Sequence, residues 1–87
     1  MKNLVESIVK ALVDKPEEVT VSEIGEHGTI VLELKVAKED IGKVIGRRGR
    51  TANAIRVLVA AIAGKHSKKV IFEIIEHKTK GVDNSSK

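Results

Sequence analysis

Cysteine, tryptophan and tyrosine are absent from this 87-residue chain, and phenylalanine occurs once, at Phe72. With no thiol, neither a disulfide framework nor a thiolate metal site can form. Phe72 falls on a strand face expected to be core, so no exposed ring is left to stack planar ligands. Long apolar runs are lacking too, and none approaches the roughly 20 residues that cross a bilayer. The opening Met1-Lys2-Asn3-Leu4-Val5-Glu6 meets basic and acidic residues too soon for a signal peptide. The cytoplasm is therefore the expected compartment. Catalytic groupings are equally scarce. His27, His66 and His77 stand apart, without carboxylate or cysteine companions at ligand spacing, so no metal is expected. Glu17, Glu18, Glu23 and Glu26 read as a solvated edge, and no serine or threonine has an evident base. No catalytic residue, no cofactor and no enzymatic activity are expected.

What is present suits one small folded domain. Hydrophobic residues make up 41%, an ordinary share for a globular protein. The net charge is +4, but it is unevenly spread. Residues 1–37 carry four lysines against seven acids. Residues 38–56 reverse this, with Lys38, Lys43, Arg47, Arg48, Arg50 and Arg56 against Glu39 and Asp40. Residues 57–87 add six lysines against Glu73, Glu76 and Asp83. The central cluster coincides with a glycine-rich helix start, the pattern of a polyanion-binding face. The C-terminal lysines read as solubilising.

Leu4, Val5, Ile8, Ala11 and Leu12 recur at three- and four-residue spacing, which predicts a helix over residues 3–14. Pro16 biases Lys15 away from helical geometry, so the helix should end near Asp14. Val19 to Glu26 reads as a strand with Val19 and Val21 on one face; Ile24 breaks the alternation and suggests a bulge or a change of partner. His27-Gly28 leads tightly into a second strand, Thr29 to Val36, where Ile30, Leu32, Leu34 and Val36 alternate with Val31, Glu33 and Lys35. These two strands form an antiparallel hairpin. A short helix from Lys38 to Ile45 turns Ile41, Val44 and Ile45 inward. Gly42 in its middle costs about 1 kcal/mol against alanine, which a close helix contact or a bound backbone would explain. After Gly46–Gly49 a helix runs from about Arg50 to Ala63 and is stopped by Gly64. Lys65-His66-Ser67-Lys68-Lys69 is a basic loop, and Val70 to Glu76 is a third strand with Val70, Phe72 and Ile74 on one face. Residues 77–87 read as a polar, frayed tail. The second and third strands are parallel if they are neighbours, because two helices connect them. The resulting α-β-β-α-α-β order is an α+β, two-layer sandwich of three helices on a three-stranded mixed sheet, one domain over residues 1–76.

The stretch Ile41-Gly42-Lys43-Val44-Ile45-Gly46-Arg47-Arg48-Gly49-Arg50 carries the chemistry. Glycine lets another backbone come close, and the following helix offers unpaired N–H groups and a positive dipole end. Such a turn can hold phosphate. It is not a nucleotide P-loop: three residues, not four, separate Gly42 from Gly46, and Arg47-Arg48 stands where Lys-Ser or Lys-Thr is needed. Nor is it a dinucleotide fingerprint, because a helix rather than a strand leads in. A Gly-x-x-Gly turn between two helices, preceded by Ile41-Gly42 and Val44-Ile45 and set in β-α-α-β, resembles the KH domain, whose turn clamps the backbone of about four single-stranded nucleotides.

The element order resembles the type II, prokaryotic arrangement, and the run Val36 to Arg56 is similar to the small stand-alone bacterial KH proteins of the KhpA family. That resemblance implies an RNA binder, either a chaperone or a post-transcriptional regulator. It also implies a homodimer, a heterodimer with a second KH protein (KhpB, Jag or EloR-like), and a link to cell elongation and division. On this reading Gly46, Arg47, Arg48 and Gly49 approach the phosphates, with Lys43 and Arg50 flanking them. Ile41 and Ile45, with Val36, line a groove for bases. Asn53 either hydrogen-bonds a base or sugar or is a plain surface side chain. Without aromatic platforms, affinity should be modest, weakly sequence-selective and strongly salt-dependent. In the following helix Ile55, Leu58, Val59 and Ile62 should pack on the sheet, which leaves Ala54, Val57, Ala60, Ala61 and Gly64 as a second, small and apolar face. A partner helix, and hence a symmetric dimer, fits that face. The alternative function is a protein-interaction adaptor that dimerises through this helix, with RNA binding secondary.

Overall fold

Val5 and Val9, four residues apart on one helix face, are the fully buried residues of α1 (Lys2–Leu12) in the computed structural model, which describes residues 1–76. Ile8 and Val13 pack beside them, whereas Leu4 and Leu12 are each 40% exposed. The helix ends two residues earlier than Asp14. Val13 is already extended, at φ −98° and ψ 163°, and the amides of Asp14 and Lys15 donate to the Asp40 carboxylate instead of to helical carbonyls. One 3-10 turn, Pro16–Glu18, then leads into the sheet.

Strand β1 (Thr20–Glu26) pairs antiparallel with β2 (Thr29–Val36), and β2 pairs parallel with β3 (Lys69–Glu76), giving the order β1-β2-β3. His27 and Gly28 both have positive φ, 51° and 81°, as a type I′ hairpin turn requires. Ile30, Leu32, Leu34 and Val36 point into the core, and Val21, Phe72 and Ile74 join them in register from the flanking strands. Ile24 makes no bulge. It pairs with Val31 in an unbroken register and is 55% exposed on the sheet face away from the core, so the alternation breaks without the backbone breaking.

A second 3-10 turn, Lys38–Asp40, precedes α2 (Ile41–Ile45), so the short helix expected from Lys38 divides in two. Val44 is fully buried, Ile41 is half-buried and Ile45 is 39% exposed. Helix α3 (Arg50–Lys65) buries Ala52, Ile55, Val59 and Ala63. Leu58, expected against the sheet, is instead 39% exposed. Gly64 does not end this helix. The chain runs helically through it, and the stop is Ser67, left-handed at φ 58°. The Ser67 amide donates to the Gly64 carbonyl at 3.0 Å and the Lys68 amide to the Ala63 carbonyl at 2.8 Å, the two bonds of a Schellman motif. The expected tail, residues 77–87, lies outside the described residues.

Candidate nucleic-acid interface

Three of the four residues between α2 and α3 leave ordinary backbone space. Gly46, at φ 78° and ψ 172°, occupies a region that essentially only glycine enters. A Cβ there would also lie 2.9 Å from the Thr51 amide nitrogen. Arg48 (φ 58°, ψ 27°) and Gly49 (φ 73°, ψ 13°) then take left-handed conformations. That conformation costs a residue with a Cβ about 1–2 kcal/mol, and Arg48 carries the strain. The Gly49 amide donates to the Gly46 carbonyl at 3.1 Å, which closes the turn and leaves Arg47 and Arg48 exposed at its tip.

The turn delivers the chain into α3 with no side chain capping the helix. The Arg50 amide is held by the Arg47 carbonyl, and the amides that follow it, with the positive end of the dipole, face the loop without a side-chain cap. Arg50 sits at the first position of the helix, exposed. None of Arg47, Arg48 and Arg50 belongs to an ion pair among the described residues, whose pairs are made by Lys10, Lys15, His27 and Lys43. Exposed guanidinium groups around an uncapped helix start can take phosphate oxygens by charge-assisted hydrogen bonds.

The family model described as KhpA/KhpB, KH domain matches residues 2–74. The chain belongs to this family. It is 60% identical over 75 residues to the RNA-binding protein KhpA of Clostridium perfringens, an overlap of 86% of this chain and 100% of that protein. The KhpA of Caldanaerobacter subterraneus is likewise 60% identical over 75 residues, with the same 86% and 100% coverage. That of Listeria monocytogenes is 49% identical over 76 residues, covering 87% of this chain and 100% of its own. No solved structure matches the chain significantly.

In this KH domain the expected site residues fall into distinct groups. Gly46, Arg47, Arg48, Gly49 and Arg50 form one continuous surface at the start of α3, and Asn53 is exposed one turn further along. Ile41 and Ile45 reach the surface of α2, but Val36 is fully buried and lines no groove. Lys43 is drawn towards acids: its Nζ is 3.3 Å from Asp14 and 4.0 Å from Asp40, so its charge is partly neutralised within the domain. Gly42 has no close helix contact, because a Cβ there would meet nothing within 4 Å. Phe72 is 5% exposed and lies beneath the Arg56 guanidinium, 5.8 Å from its ring centre, so it offers no stacking face.

The other side of α3 is open. Ala54, Val57, Ala60, Ala61 and Gly64 are all exposed, Val57 by 61%, and Leu58 extends the same apolar surface. Sequence reasoning missed Asp40, the one buried charged residue among those described. Its Oδ1 and Oδ2 accept the amides of Asp14 and Lys15 at 3.2 and 3.0 Å, and so tie the exit of α1 to the entry of α2. The available signal was an aspartate directly before the apolar Ile41, which reads as a helix cap. The cap bond is not made, and the carboxylate reaches across the fold instead. Beside it, Lys15 Nζ and Glu39 Oε2 are 2.8 Å apart. Their hydrogen bond, and then their opposite charges, raise the Lys15 pKa; the same hydrogen bond, then a backbone hydrogen bond to the Glu39 carboxylate and the Lys15 charge, lower that of Glu39.

Proposed function

We propose that residues 1–76 are a single KH domain that binds single-stranded RNA; the relatives described above are RNA-binding proteins. The Gly46–Gly49 turn and the first turn of α3 grip the phosphate backbone. Arg47, Arg48 and Arg50 neutralise it, while Ile41 and Ile45 meet bases and Asn53 a base or sugar. The observation that carries this reading is the loop itself: a glycine-only backbone at Gly46, a strained Arg48 and an uncapped helix beneath unpaired arginines. Strain held at an exposed tip is expected where a ligand uses the conformation. In the cell the same reading makes it a cytoplasmic RNA chaperone or post-transcriptional regulator tied to elongation and division. Titration of a short single-stranded RNA into an Arg47→Asp/Arg48→Asp variant tests it. Affinity should fall at least tenfold; unchanged affinity in the folded variant overturns the reading.

A second reading is favoured by a separate observation, the 61% exposure of Val57 between Ala54 and Ala61 on one helix face. This face serves a homodimer or a heterodimer with a second KH protein of the KhpB, Jag or EloR kind. Sedimentation of Val57→Asp at the same mass as wild type would count against it.

A further inference from the structure

The far end of α3 carries features that the clamp does not use. The helix holds 16 residues and is roughly 24 Å long, so its C-terminal end lies that far from the Gly46–Gly49 turn. There the Schellman turn at Ser67 fixes the chain's direction, and the Lys69 amide is held by the Gly28 carbonyl at 2.9 Å. The backbone that displays Lys65, His66, Lys68 and Lys69 is thus anchored to both the helix and the hairpin, while all four side chains are exposed. Among the described residues Lys65, Lys68 and Lys69 make no ion pair. Cations near a helix C-terminus have a structural use, through the dipole, but that needs no cavity beside them.

A shallow, open cavity is present on the surface. About 330 Å³ opens under this loop, with Ile30, Ile62 and Ala63 as apolar wall and Glu23, His66 and Lys68 at its polar margin. That volume is at the small end for ligand sites, which are mostly apolar with a few placed polar groups. Ile30, Ile62 and Ala63 offer a planar base an apolar wall, the adjacent ammonium groups can take phosphate, and Glu23, whose Oε1 already accepts the Lys2 amide at 3.1 Å, has its Oε2 for an amino group. The Gly46–Gly49 clamp has the phosphate chemistry but no aromatic platform for bases. We propose that the cavity beneath Lys65–Lys69 is a second nucleotide subsite, which takes a base and phosphates of the same RNA strand beyond the segment held by the clamp. The proposal rests on the RNA-binding reading above and extends the footprint along α3.

The test compares oligonucleotides of about 4 and about 12 nucleotides, the shorter matched to the clamp alone. Lys65→Gln/Lys68→Gln/Lys69→Gln should weaken the longer RNA about tenfold, lower its log–log salt slope by about 2, and leave the shorter RNA unchanged. In wild type the longer RNA alone should shift the methyl resonances of Ile30 and Ile62. Equal binding of both RNAs by wild type and triple variant, or unmoved Ile30 and Ile62 methyls, overturns the second subsite while leaving the clamp standing. Free adenosine monophosphate that moves those methyls as strongly as the longer RNA also overturns it, and makes the cavity a mononucleotide pocket. Failure of wild type to bind either RNA removes the RNA-binding reading, and the subsite with it.

Discussion

The fully buried carboxylate of Asp40 accepts the backbone amide of Lys15 at 3.0 Å across 25 positions of sequence. With its second bond, to the Asp14 amide, it joins the end of α1 to the helix that launches the arginine turn. Replacing Asp40 by alanine leaves two amides without their acceptor. A buried donor left unsatisfied costs about 1–3 kcal/mol. Asp40→Ala should therefore lower stability by about 2 kcal/mol in urea unfolding. RNA affinity should fall in the folded protein too, because α2 loses its tether.

Gly64 and Ser67 make a paired prediction. Gly64 lies inside α3 with open space where a Cβ would go, so Gly64→Ala should raise stability by about 0.5–1 kcal/mol. Ser67, left-handed at φ 58°, should gain a similar amount on substitution by glycine. If Gly64 ended the helix, Gly64→Ala would destabilise. Thermal unfolding of the two single variants decides between these.

Those two residues show where sequence and structure part. Alternation in β2 and the spacing in α1 and α3 made the element order and the three-stranded sheet legible, because burial on one face repeats with a fixed period. Helix ends follow other rules. Gly64 looked like the stop, but a six-residue hydrogen-bond pattern centred on Ser67 supplies it. Asp14 looked helical, but its amide has a better acceptor in Asp40, 26 residues away, which no local pattern reveals. The Gly46–Gly49 turn was legible because glycine spacing reports backbone conformation directly. The partial neutralisation of Lys43 was not, since it depends on where α1 ends.

Gly42 separates stability from binding. The half-exposed α2 surface leaves nothing within 4 Å of an added Cβ, so Gly42→Ala should stabilise the free protein by about 0.5–1 kcal/mol. If the open space receives an RNA backbone, the same variant should bind RNA more weakly. Unfolding and RNA titration on one preparation check both halves.

The Lys15–Glu39 pair gives a signed dependence on pH. Glu39, with its pKa lowered in the fold, stabilises above its unfolded pKa, and the contribution is lost as pH falls through the lowered value. Lys15, with its pKa raised, stabilises below its unfolded pKa and loses this as pH rises through the raised value. A double-mutant cycle with Lys15→Met and Glu39→Gln should therefore show coupling at neutral pH that is lost as the pH falls through the lowered Glu39 pKa. High salt should weaken it, because both groups are exposed.

The claim that the arginine turn holds phosphate is tested most directly by the salt dependence of RNA affinity in wild type and in Arg47→Gln/Arg48→Gln. Each phosphate contact on a single strand contributes about −0.7 to the slope of log K against log salt. Loss of two contacts should make the variant's slope shallower by about 1.4, with weaker binding at low salt. Parallel slopes for the two folded proteins would contradict the account.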